Sequence, residues 1–155
     1  MQHTLRALAL GLTAIVLAAA SAPAAQPVPS FAVLLTRGNA SAGHRSYTGA
    51  AIVKALRARG FIADALDDPS GDPAILGPAT CASAGVSVLL DSTVAIDIQP
   101  DREINQWATA KVDLAGYNCI TGRPLEATSG SAASYNWNWA VDQAVAAAIK
   151  HVPHA

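Results

Sequence analysis

Tyr47-Thr-Gly-Ala-Ala-Ile-Val-Lys-Ala-Leu-Arg-Ala-Arg-Gly-Phe-Ile-Ala-Asp-Ala-Leu66 is the stretch that decides the fold. Ile52, Val53 and Leu56 recur at helical spacing, which predicts a helix from about Tyr47 to Arg59. Ser46 or Thr48 can cap its start by accepting a bond from a free backbone N–H. Gly60 stands where a left-handed residue ends a helix, and Phe61 is the apolar residue that follows such an end. Arg57 and Arg59 fall in the last turn, where the helix dipole favours cations. Phe61 to Leu66 then reads as a strand. Upstream, Phe31-Ala-Val-Leu-Leu35 is a short apolar run of the kind buried on both faces of a sheet. The unit is strand, helix, strand.

Downstream, Asp67-Asp-Pro-Ser-Gly-Asp72 is a turn cluster, and Asp72 can cap a short helix beginning at Pro73. Pro78 limits or kinks that helix, and Gly85 ends it. Val86 to Ile98 reads as extended, with a break near Asp91-Ser92 giving either two strands or one bulged strand. Pro100 to Asn105 is a polar connection. From Gln106 to Asn118 the alternation is regular. Ala108, Ala110, Val112 and Leu114 face one way; Trp107, Thr109, Lys111 and Asp113 face the other. Thr121-Gly122-Arg123 is a turn, Pro124 to Thr128 an edge strand, and Ser129 to Ser134 a loop of small residues. Val141, Val145, Ala148, Ile149 and Val152 predict a closing helix capped by Asn136 or Asn138. The expected fold is α/β (α+β): one mixed sheet with two main helices on one face, in the order β-α-β-(α)-β-β-β-α.

The chain begins with a different kind of signal. Arg6 precedes an almost unbroken Ala/Leu/Ile/Val run from Ala7 to Ala20, closed by Ser21-Ala-Pro-Ala-Ala25. Charged, apolar and small-residue regions in that order make a secretory signal peptide, here residues 1–24. The apolar run, about 14 residues, is short of the roughly 20 that a spanning helix needs. The remainder, 25–155, is expected to be a single domain in the periplasm or outside the cell. No cysteine stands at the cleavage site to carry a lipid.

The net charge is −1 at pH 7, and losing Arg6 makes the chain slightly more acidic. That balance argues against nucleic acid as a partner. After the leader the apolar residues are dominated by alanine, which implies thin helices packed closely. The two cysteines, Cys81 and Cys119, are expected to pair in an oxidising compartment, with free buried thiols or an intermolecular bond as alternatives. Their bridge would close a loop of about 38 residues and stabilise by roughly 4 kcal/mol.

Gly38-Asn-Ala-Ser-Ala-Gly-His-Arg-Ser46 has the glycine spacing of a phosphate-binding loop. His44 and Arg45, however, stand where the Lys and Ser/Thr of such a loop belong. A weaker expectation survives, in which helix-start N–H groups with His44 and Arg45 hold an anion. His151 and His154 lack a third convergent ligand, so no metal is expected. Asp67, Asp68 and Asp72 do not follow a calcium-loop pattern. No Gly-x-Ser-x-Gly elbow is present, no catalytic residue is assigned, and no cofactor is expected. Tyr135-Asn-Trp-Asn-Trp139 is the most distinctive local feature. Trp137 can pack onto the closing helix, while Trp139 with Trp107 can form an exposed aromatic patch suited to a protein or glycan partner, and Tyr135 is a further candidate binding residue. The alternative is that all three tryptophans close the core.

Ala108-Thr-Ala-Lys-Val-Asp-Leu114, Ile120-Thr-Gly-Arg-Pro-Leu125 and Ala140-Val-Asp-Gln-Ala-Val-Ala-Ala-Ala148 together resemble a pattern of bacterial envelope proteins. In these, a strand ends in a T-G-x-x-L hairpin and an Ala-rich helix follows. Ala51-Ile-Val-Lys-Ala-Leu-Arg-Ala-Arg-Gly-Phe61 is similar to their helix-to-strand step, and Gly85-Val-Ser-Val-Leu-Leu90 to the next strand. The families are the TolB N-terminal domain, penicillin-binding-protein activator lipoproteins and curli-secretion-type lipoproteins. The resemblance implies a non-catalytic envelope module working through protein contacts. The alternative expectation is a small-ligand or anion binder using the Gly38–Arg45 loop.

Overall fold

The computed structural model describes residues 28–66, 73–100 and 107–152, without the side chains of residues 73–75. The expected leader, the acidic turn with Asp67, Asp68 and Asp72, most of the Pro100–Asn105 connection and His154 lie outside the described residues. In chain order the elements are β1 (Ser30–Val33), α1 (Ala42–Ala58), β2 (Ile62–Ala65), α2 (Pro73–Ala84), β3 (Val88–Gln99), β4 (Trp107–Asn118), β5 (Arg123–Pro124), β6 (Thr128–Ser134) and α3 (Trp137–Ile149).

The strands form one mixed sheet in the order β2-β1-β3-β4-β5, with β6 also paired to β4. β1 runs parallel to β2 and β3, and every pairing of β4 is antiparallel. The expected α+β class with a single mixed sheet is therefore what the chain adopts.

α1 ends as its sequence dictates. Gly60 has φ 85°, its N–H bonds to the Arg57 carbonyl, and the Phe61 N–H bonds to the Leu56 carbonyl. These two bonds satisfy carbonyls that the helix end would leave open. Phe61 then packs on Phe31 of β1 with ring centroids 5.1 Å apart. The start differs from expectation. α1 begins at Ala42, and its cap is Ser41, whose Oγ accepts the His44 N–H at 3.2 Å. Gly43 and Ser46 weaken the helical pattern of residues 42–46, but local bonds hold the extra turn. Thr48 is fully buried, and its hydroxyl donates to the His44 carbonyl at 2.8 Å.

β3 is one continuous strand, without the expected break at Asp91-Ser92. Both polar side chains are buried but partnered. Arg37 makes a two-point ion pair with Asp91, and the Thr36 and Ser92 hydroxyls lie 2.8 Å apart. The segment Ser129–Ser134, expected as a loop, is strand β6. Its small residues serve packing: a Cβ on Gly130 would stand 2.0 Å from the Ala144 carbonyl oxygen of α3. The helix and strand backbones meet there with almost nothing between them.

The helices also divide between faces. α1 and α3 cover the face formed by Phe31, Val33, Ala63, Val88, Leu90, Val94, Ala110, Val112 and Leu114. α2 lies on the opposite face, over a single row made by Ala32, Leu89 and Tyr117. The expectation of helices on one face holds for the two main helices, α1 and α3, and is corrected for α2. Its anchor is the Cys81–Cys119 disulfide, with Cα atoms 5.6 Å apart, which ties the helix to the end of β4. The expected pairing of these two cysteines is thus present, and no free cysteine remains.

Candidate binding surface

The starts of α1 and α3, the last residues of β3 and β6 and the first of β4 all lie at one end of the sheet, as the parallel and antiparallel pairings require. The aromatic candidates gather there, in two groups on opposite sides of the sheet.

The first group lies on the helix side. Trp137 opens α3 after its cap, Asn136, whose Oδ1 accepts the Asn138 N–H at 3.2 Å. The Trp137 ring packs against the His44 ring at 4.2 Å and edge-on against Tyr47 at 5.0 Å. It is part-buried against the main core, the position expected of a residue four before Val141. The Tyr47 hydroxyl donates to the Asp142 carboxylate, with both oxygens at 3.1 Å. Burial first, then the Asp142 hydrogen bond and charge, push that hydroxyl above its ordinary pKa of 10.0, so it stays a donor. The effect is to join the N-terminal turns of α1 and α3.

The second group lies on the sheet face that α2 leaves uncovered. Trp107 and Tyr135 meet edge to face with centroids 4.6 Å apart, and Tyr135 is 56% exposed. The strand face beside them is small and polar. Ala95, Asp97 and Gln99 of β3, Thr109 and Lys111 of β4, and Ser131 and Ala133 of β6 are all exposed. Lys111 and Asp113 form an ion pair of 3.1 Å across the surface. A hydrogen bond from Ser129 is the main influence holding the Asp113 carboxyl below its ordinary pKa of 3.8.

Trp139 belongs to neither group. It is 62% exposed and shares the outer side of α3 with Asp142, Gln143 and Ala146. The tryptophans therefore do not all close the core: Trp137 does so in part, Trp139 does not, and Trp107 sits at the rim of the open sheet face.

The Gly38–Arg45 loop is occupied by its own chain. Gly38 has φ 127°, and a Cβ there would fall 2.0 Å from the Val94 carbonyl oxygen. The glycine is required because the loop runs flat against β3, where Arg37 and Val94 exchange backbone hydrogen bonds with that strand and loop. The Arg45 guanidinium donates to the Ala40 carbonyl at 2.6 Å, and Ser41 takes the His44 N–H. Arg37, Tyr47 and Asp142 carry roles that no local sequence signal gives away. Their partners are 54 and 95 residues away, so no local spacing could reveal them.

No family model matches the chain, and no curated protein sequence does. Solved structures do share the fold. The PelC dodecamer from Paraburkholderia phytofirmans superposes with TM-score 0.60 at 14% identity, covering 83% of this chain and 91% of that one. Lipoprotein GNA1162 from Neisseria meningitidis gives TM-score 0.53 at 13% identity, covering 70% and 83%. The LpoB C-terminal domain from Escherichia coli covers 73% and 88% at 14% identity, but its TM-score of 0.36 carries no weight. The fold expected from the resemblance to bacterial envelope proteins is thus found in a bacterial lipoprotein. No helix among the described residues is long and apolar enough to cross a membrane.

Proposed function

We propose that this chain is a non-catalytic binding and assembly module of the bacterial cell envelope, exported by its leader and held together by its disulfide. The Trp107–Tyr135 pair, at the rim of an open sheet face, is the observation that carries the reading. Aromatic side chains left at a surface beside small, flat polar residues suit a macromolecular partner, because their burial supplies most of the affinity. Two further features support it. A protein described as a dodecamer, PelC, stands among the fold neighbours, which is compatible with an assembly role for this fold. The Cys81–Cys119 bridge fits an oxidising compartment.

The anion-binding alternative draws little from the geometry. Arg45 and the His44 N–H are spent on their own loop, and Gly38 is explained by its contact with Val94. Crosslinking in the native envelope, followed by capture of the chain, tests the proposal. A reproducible partner supports it; capture of nothing but the chain itself would move the anion reading ahead.

A further inference from the structure

The outer side of α1 and α3, away from the sheet, is rich in alanine and carries one large exposed apolar side chain, Trp139. Ala51, Lys54, Ala55 and Ala58 of α1 and Asp142 and Val145 of α3 line an open groove of about 200 Å³. Trp139, 62% exposed, lies three residues before Asp142, so the indole and the groove share one side of α3. An indole this exposed is costly in water, and the groove beside it has room for one large side chain.

We propose that this face is a contact between two copies of the chain, each seating its Trp139 in the alanine-lined groove of the other. A two-fold contact lays one patch on an identical patch, so the patch must complement itself. This one holds both a projection and a recess. It also holds both signs of charge, with Lys54 on one wall and Asp142 on the other. A patch of one sign would repel its copy. The Tyr47 hydroxyl fixes Asp142 in place without removing its charge, since it is the donor. The alanines keep both helices thin, which lets a second helix pair approach closely. The face lies on the opposite side of the sheet from Trp107 and Tyr135, so the two surfaces succeed or fail separately.

Sedimentation velocity on the chain purified after export tests this. The expected result is a dimer that dissociates on dilution. Trp139→Ala should weaken it by roughly thirty-fold or more. Ala58→Glu, at an exposed position, should do the same by placing a charge in the groove. Circular dichroism reports whether each variant is folded, and a variant that is folded but monomeric supports the contact. A wild-type chain that stays monomeric, or an assembly that both folded variants leave intact, overturns it.

Discussion

Gly130 and Ala144 set the distance between β6 and α3: a Cβ on Gly130 would come within 2.0 Å of the Ala144 carbonyl oxygen and 2.5 Å of the Ala148 nitrogen. Neither atom can move without bending the helix backbone. Gly130→Ala should therefore destabilise by about 1–3 kcal/mol or prevent folding. A fall in the urea midpoint with little change in slope would show it.

The two glycines of the Gly38–Gly43 pair should behave differently. Gly38→Ala meets the Val94 carbonyl oxygen and a left-handed backbone, so it should cost at least about 2 kcal/mol. Gly43 lies inside α1 with nothing within 4 Å of a Cβ. Gly43→Ala should be neutral or stabilise by up to about 1 kcal/mol. Thermal melts of both variants decide it. If a ligand-holding loop were the reason for both glycines, the two changes would not separate this way.

Spacing within one element was legible. The Gly60 helix end, the alternation of β4, the Cys81–Cys119 pairing and the Asn136 cap all follow from residues close together or from a short list of partners. Facts set by packing between elements were not legible. Ser129–Ser134 looks like a loop because glycine, serine and alanine have poor strand propensity, and only the approach of α3 makes them a strand. Asp91 and Ser92 look like a break until Arg37 and Thr36 arrive to satisfy them. Of the candidate site, Trp107 was expected to share a patch with Trp139, but the two stand on opposite sides of the sheet, and the Trp107–Tyr135 contact was not legible because it depends on the pairing of β4 with β6.

α2 rests on one row of sheet residues and one covalent bond. Replacing Cys81 and Cys119 together by Ala should lower stability by about 2–5 kcal/mol. Hydrogen exchange should rise first in Pro73–Ala84, while β3, β4 and α3 keep their protection. Uniform loss of protection across the sheet would show that the bridge holds the whole fold rather than this helix.

Asp113 links stability to acid. Its carboxyl is held below 3.8 by the Ser129 hydrogen bond, so its contribution is complete above that value and fades as pH falls through the lowered one. Ser129→Ala should therefore lower the urea midpoint slightly at neutral pH, by well under 1 kcal/mol at this exposed site. The difference should shrink as pH falls below 3.8 and through the lowered pKa, as Asp113 becomes protonated in both proteins. A gap that persists there would assign the effect to something other than this carboxylate.

The open sheet face at Trp107 and Tyr135 is proposed to meet a partner in the envelope. The most direct measurement is site-specific photocrosslinking in cells, with the reactive group placed at Tyr135 and, separately, at Ala133 beside it and Lys150 at the far end of α3. One reproducible adduct is expected from Tyr135 and Ala133, absent from Lys150 and lost when Trp107 is changed to Ala. No adduct at either sheet position, or one equally strong in the Trp107→Ala chain, would contradict it.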